Sequence, residues 1–191
     1  MVYSFYVVLG IGLLLLPLWF WHGPDARLAA FDQREWPKGL NLLLALLDLG
    51  RAAGGAYLLQ LGLPELPILA NHSEWRVELV LAGIITLGLV VQTLAWHDED
   101  HVQAPVAFLA GVTLILVDLR VVGLAGALAL GASFAVRAWS MLFFAASAGT
   151  VLIGWLLSFQ SWPRVIFLGV ALAVPPVVSV MAGRHMGWPR K

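Results

Sequence analysis

Six stretches of this chain are each long enough and apolar enough to cross a lipid bilayer, and nothing else in the sequence constrains the fold so strongly. They run approximately over 3–22, 39–62, 77–96, 104–130, 138–160 and 164–183. A spanning helix needs roughly 20 mostly apolar residues, because hydrocarbon about 30 Å thick is crossed at about 1.5 Å per residue. Inside hydrocarbon every backbone N–H and C=O must be bonded within the protein, so these stretches are expected to be helical. The expected fold is an all-α integral membrane bundle of about six transmembrane helices, one domain over 1–191, with the lipid bilayer as its first partner.

Composition points the same way. Of the residues, 61% are hydrophobic and 12% charged, whereas a soluble domain has roughly 45–50% and about 25%. Too much apolar surface is present for so short a chain to hide from water. Basic and acidic residues balance at 11 each, which argues against nucleic acid, since that partner requires a basic face. Cysteine is absent, excluding disulfides, thiolate metal sites, iron–sulfur clusters and thiol redox chemistry. The run from Val2 to Trp21 has no basic segment before it and is long enough to span, so it is read as the first helix and not as a cleaved signal.

The region Val102–Gln160 is almost unbroken apolar sequence. Three helices there would each be short, so two are expected, with the turn at Gly131-Ala132-Ser133. Tryptophan favours the headgroup level, and Trp19, Trp21, Trp36, Trp75, Trp96, Trp139, Trp162 and Trp188 stand near the expected ends, with Trp155 the exception. Six spans would put both termini on one face, with Arg76, Arg137, Arg184, Arg190 and Lys191. The other face would hold Arg27, Arg34, Lys38 and Arg164. This small excess places the termini in the cytoplasm under the positive-inside rule.

Asp48, Arg51, Asp118 and Arg120 fall inside expected spans, where a central charge costs roughly 2.5–3.5 kcal/mol on insertion scales. Asp48 and Arg51 share a helix face by their spacing. A crossed arrangement, Asp48 with Arg120 and Asp118 with Arg51, would neutralise all four and tie two helices together. Two readings are open: a polar pathway for an ion or small solute, or a structural ion-pair lock. The segments Asp48-Leu-Gly-Arg51-Ala-Ala-Gly54 and Asp118-Leu-Arg120-Val-Val-Gly123 align with one gap, as a duplication or as chance similarity. Pro175 and Pro176 lie inside the last expected helix, where loss of two N–H donors predicts a kink.

His97-Asp98-Glu99-Asp100-His101 separates the third and fourth expected helices, with His22 expected on the same face. Two imidazoles four apart, with Asp98 and Asp100 between, have the chemistry of a divalent-cation site if the turn is helical. The alternative is a solvated acidic loop, and no other cofactor is expected. Gly131-Ala132-Ser133-Phe134 resembles the serine motif of rhomboid intramembrane proteases, but its last glycine is missing and no histidine occupies the last helix interior. No complete catalytic set is visible, so an enzyme is not expected.

The Asp-Leu-Arg-x-x-Gly segment resembles one found in bacterial membrane proteins, and the bacterial inner membrane is the expected location. In size alone, six spans in so short a chain resemble vitamin-binding transporter subunits. Two functions follow from these features: a small-solute or ion permease or channel using the Asp/Arg cluster, or a non-catalytic scaffold or accessory subunit of a larger membrane complex. Homo-oligomers and other membrane subunits are the partners in view.

Overall fold

The computed structural model describes residues 2–16, 27–29, 40–69, 74–94, 101–157 and 162–190. These form an all-α bundle of seven helices with a small three-stranded sheet at one end. The helices are α1 (Val2–Leu15), α2 (Leu40–Gly62), α3 (Glu74–Leu94), α4 (Val106–Leu116), α5 (Leu119–Val136), α6 (Trp139–Leu157) and α7 (Trp162–Ala182). The strands are β1 (Arg27–Ala29), β2 (His101–Gln103) and β3 (His185–Arg190). Helices α2, α3, α5, α6 and α7 are long and apolar enough to cross a membrane; α1 and α4 are shorter. Large apolar side chains such as Leu119, Leu156, Val180 and Met181 are exposed on the outside, where lipid, not water, is the compatible solvent.

Three helix limits differ from the sequence reading. The expected fourth helix, 104–130, is two helices. The chain breaks at Val117, which is extended (φ −119°, ψ 143°), and Asp118 caps α5 by accepting a hydrogen bond from the Arg120 N–H at 2.8 Å. An aspartate before a helix satisfies an otherwise orphaned donor, typically worth about 1 kcal/mol, and mean hydropathy does not register it. Gly131-Ala132-Ser133, expected as a turn, is helical; α5 ends instead at Arg137, which is left-handed (φ 58°). Within the described residues α1 ends at Leu15, short of the expected 22; Pro17 follows in the sequence, and the residue before a proline disfavours helix.

Packing fixes the helix directions. Gly10 of α1 lies against Gly55 and Leu59 of α2, while Gly62 meets Val7 and Tyr3, so α1 and α2 are antiparallel. A Cβ at Gly10 or Gly55 would stand about 3 Å from the opposite backbone, so the absence of side chains there allows the close approach. Gly149 packs on Ala125 and Leu128, setting α5 against α6, and Gly154 packs on Val165, setting α6 against α7. Ser147 Oγ donates to the Gly169 carbonyl at 2.6 Å across this second pair.

Helices α3 and α7 run parallel. Glu78 and Arg164, near their starts, are ion-paired at 2.6 Å. Beyond their ends, β2 and β3 pair in parallel, His101 with His185 and Val102 with Met186. Strand β1 completes the sheet by pairing antiparallel with β3. The end of α7 is turned into β3 by a Schellman motif: Arg184 N–H bonds the Ser179 carbonyl, Gly183 N–H bonds Val180, and Gly183 has φ 64°.

Parallel α3 and α7 require an odd number of passes between them, and α4, α5 and α6 supply three. Two passes would have left them antiparallel. Consequently Val2 and Arg190 lie at opposite ends of the bundle, not at one end as six alternating spans imply. Trp155, the exception in the tryptophan pattern, stands near the end of α6 with its ring 6.2 Å from that of Trp162 at the start of α7. It belongs to the same rim as Trp75 and Tyr3.

Candidate functional site

Arg51 is the centre of a three-helix junction. Its Nη2 and Nε donate to Asp48 Oδ1 at 2.5 and 3.1 Å, one turn back on α2. Nη1 donates to the Leu13 carbonyl of α1, and the guanidinium carbon lies 5.4 Å from the centroid of Phe108 on α4. The side chains of Arg51 and Asp48 retain 9% and 13% exposure.

Leu13 belongs to the last turn of α1, whose carbonyls have no helical donor. That turn is half-buried, with Leu14 fully enclosed. An unbonded carbonyl there costs about 1–3 kcal/mol, so a cation that donates to it serves both the hydrogen bond and the helix dipole. Gln92 Nε2 of α3 donates to the Leu16 carbonyl, just past the helix end, at 3.4 Å. The buried arginine is therefore a cap for α1, held in charge balance by Asp48.

The second half of the expected cluster lies elsewhere. Asp118 is spent on the N-terminus of α5, and Arg120 is exposed. Of the crossed arrangement, the pairing of Asp118 with Arg51 is not formed, because Arg51 is engaged by Asp48 and Leu13. The two similar segments are also not equivalent: Asp48 is inside a helix, and Asp118 precedes one.

Sequence reasoning passed over Glu78 and Arg164. Arg164 Nε donates to both carboxylate oxygens of Glu78 at 2.9 and 3.0 Å, and Nη2 to Oε1 at 2.6 Å. The Glu78 side chain is 8% exposed and that of Arg164 24%. The signal was present in the spacing, since Glu78, Ala82, Ile85, Leu89 and Gln92 recur at helical intervals and all are buried. Six alternating spans hid it by assigning the two residues to opposite faces.

Pro175 and Pro176 are buried within an α7 that continues helically to Ala182. Lacking N–H groups, they leave the Ala171 and Leu172 carbonyls without their helical donors. Leu172 also borders a cavity of about 250 Å³ between α4, α5, α6 and α7. Its lining is aliphatic apart from the hydroxyls of Thr113 and Thr150, with no charged residue. His22, His97, Asp98 and Asp100 lie outside the described residues, as does the His101 side chain, so the candidate metal site falls there.

The described geometry thus includes an ion pair between α3 and α7, an ion pair within α2 whose arginine reaches α1, and an apolar cavity lined by none of these four residues. Comparison of the chain with protein-family models, with curated proteins and with solved structures finds no match.

Proposed function

We propose that this protein is a non-catalytic membrane scaffold or accessory subunit, and that its buried charges hold its own helices together. The observation that carries this reading is the engagement of Arg51 by Asp48, the Leu13 carbonyl and the Phe108 face. A permeation site must release its ligand, so it leaves a charge or carbonyl open to solute. Arg51 instead commits two donors to Asp48 on its own helix and one to the Leu13 carbonyl of α1. Glu78 and Arg164 repeat the pattern between α3 and α7.

A scaffold needs a surface for neighbouring subunits. The exposed face of α5 presents Gly123, Ala127 and Gly131 four residues apart, the small-residue spacing on which membrane helices approach closely. A Cβ added at Gly123 or Gly131 would meet nothing within 4 Å.

The test is flux in vesicles. Purified protein in proteoliposomes is expected to pass protons, Na⁺, K⁺ and chloride no faster than protein-free vesicles, and Asp48→Asn is expected to lower Tm. Protein-dependent flux that Asp48→Asn abolishes at unchanged Tm would overturn the scaffold reading in favour of a permease or channel.

A further inference from the structure

The cavity between α4, α5, α6 and α7 has one feature that close packing does not explain. Thr150 of α6 lines it, is 4% exposed, and makes no hydrogen bond among the described residues. Three hydroxyls in these helices bond back to a carbonyl about one turn earlier, Thr93 to Leu89 at 2.7 Å, Thr113 to Leu109 at 2.9 Å and Ser133 to Leu130 at 2.8 Å, while Ser147 and Ser179 reach the Gly169 and Arg184 carbonyls. That local bond is the default for a helical threonine in a dry setting, so a Thr150 hydroxyl that does not make it keeps a donor available to the cavity. Leu172 of α7 also lines the cavity, and Pro176 deprives its carbonyl of the helical donor. The wall is thus greasy nearly throughout, with unsatisfied hydrogen-bonding capacity on α6 and α7.

We propose that this cavity binds a neutral, mainly hydrocarbon molecule carrying one hydroxyl or carbonyl, which bonds Thr150. Three observations define the class. The absence of charged lining residues excludes an ion or an ionised headgroup. A volume of about 250 Å³ corresponds to about eight groups the size of a water or methylene, at roughly 30 Å³ each. Leu114 and Leu130, on the rim, are 43% and 48% exposed, so the opening faces the bilayer and a longer tail can trail into lipid. Depth separates this occupant from a phospholipid chain. Thr150 lies about 16 Å along α6 from Trp139 at about 1.5 Å per residue, near the middle of hydrocarbon about 30 Å thick. A phospholipid carries only methylenes at that level.

The experiment uses the full chain in lipid nanodiscs with two photoreactive probes, a diazirine-bearing octanol and the matching diazirine-bearing octane, read by mass spectrometry of labelled peptides. The octanol is expected to label the peptides holding Leu109, Leu142 and Leu172 saturably, at a concentration about tenfold lower than the octane. Thr150→Val, which keeps the shape, should erase that difference with Tm unchanged. Gly126→Leu, placed where an added Cβ meets nothing within 4 Å, should abolish saturable labelling by both. Equal labelling by the two probes, a preference that survives Thr150→Val, or labelling that only follows lipid exposure would each overturn the proposal. Octane-like saturable labelling insensitive to Thr150→Val would identify an ordinary acyl-chain groove.

Discussion

Glu78 and Arg164 are 86 residues apart in the chain and form a two-pronged ion pair between the first turns of α3 and α7. The pair ties together two helices that run in the same direction, which only an odd number of intervening passes permits. Removing one partner leaves the other enclosed without compensation. Glu78→Ala is expected to cost about 2–3 kcal/mol, the lower part of the range for a broken buried pair, because Arg164 keeps some exposure. The exchange Glu78→Arg with Arg164→Glu should recover part of that loss, measured by thermal unfolding in detergent.

Arg51 couples three helices at once. Asp48→Asn should destabilise the bundle by roughly 3 kcal/mol, while Phe108→Leu, which removes only the ring beneath the guanidinium, should cost about 1 kcal/mol. Replacing both charges together, as Asp48→Asn with Arg51→Gln, is expected to cost less than the sum of the single changes in a double-mutant cycle.

Opposite ends for the first and last helices give a topology that labelling can read directly, since the chain has no native cysteine. Glu65 lies in the turn after α2, at the end where α1 begins, and Arg184 precedes β3 at the sheet end; both are exposed. A membrane-impermeant maleimide added to intact cells is expected to react with Glu65→Cys and not with Arg184→Cys. Among the described residues the sheet end carries Arg27, Arg137, Arg184 and Arg190, against Arg76, Arg120 and Arg164 at the other, which favours the sheet end in the cytoplasm. Equal reactivity at both positions would contradict the described topology.

Gly111 of α4 packs on the Leu49 carbonyl, Ala52 and the Ala53 backbone of α2, so an added Cβ would collide with main chain. Gly111→Ala should destabilise by about 1–3 kcal/mol through overpacking. Gly123→Ala, where a Cβ meets nothing within 4 Å, should be neutral or stabilising in the same assay.

Arg137 occupies a left-handed position, φ 58° and ψ 42°, which costs an L-residue with a side chain roughly 1–2 kcal/mol. Glycine carries no such penalty. Arg137→Gly is therefore expected to raise stability by about 1 kcal/mol.

Much of the fold was legible in the residues themselves. Long apolar runs required helices, because hydrocarbon offers no partner to an open backbone, and α2, α3, α6 and α7 match the expected stretches closely. Spacing put Asp48 and Arg51 on one helix face, although the expected arrangement crossed them with Arg120 and Asp118. Hydropathy averages over a window, so it could not see the single capping aspartate that divides 104–130, and the error in pass count then misplaced Glu78 relative to Arg164. The three-stranded sheet had no comparable signal, since its strands are short and find partners more than 80 residues away in the chain.

The sequence by itself determined that this chain belongs in lipid as a helical bundle and that its interior charges need partners. That much depends only on transfer free energies and local spacing. Tertiary structure decided the number of passes, the capping of α1 by Arg51, and the enclosure of Thr150 beside an apolar cavity. These depend on which helix ends meet, a property of the packed whole that no window of neighbouring residues contains.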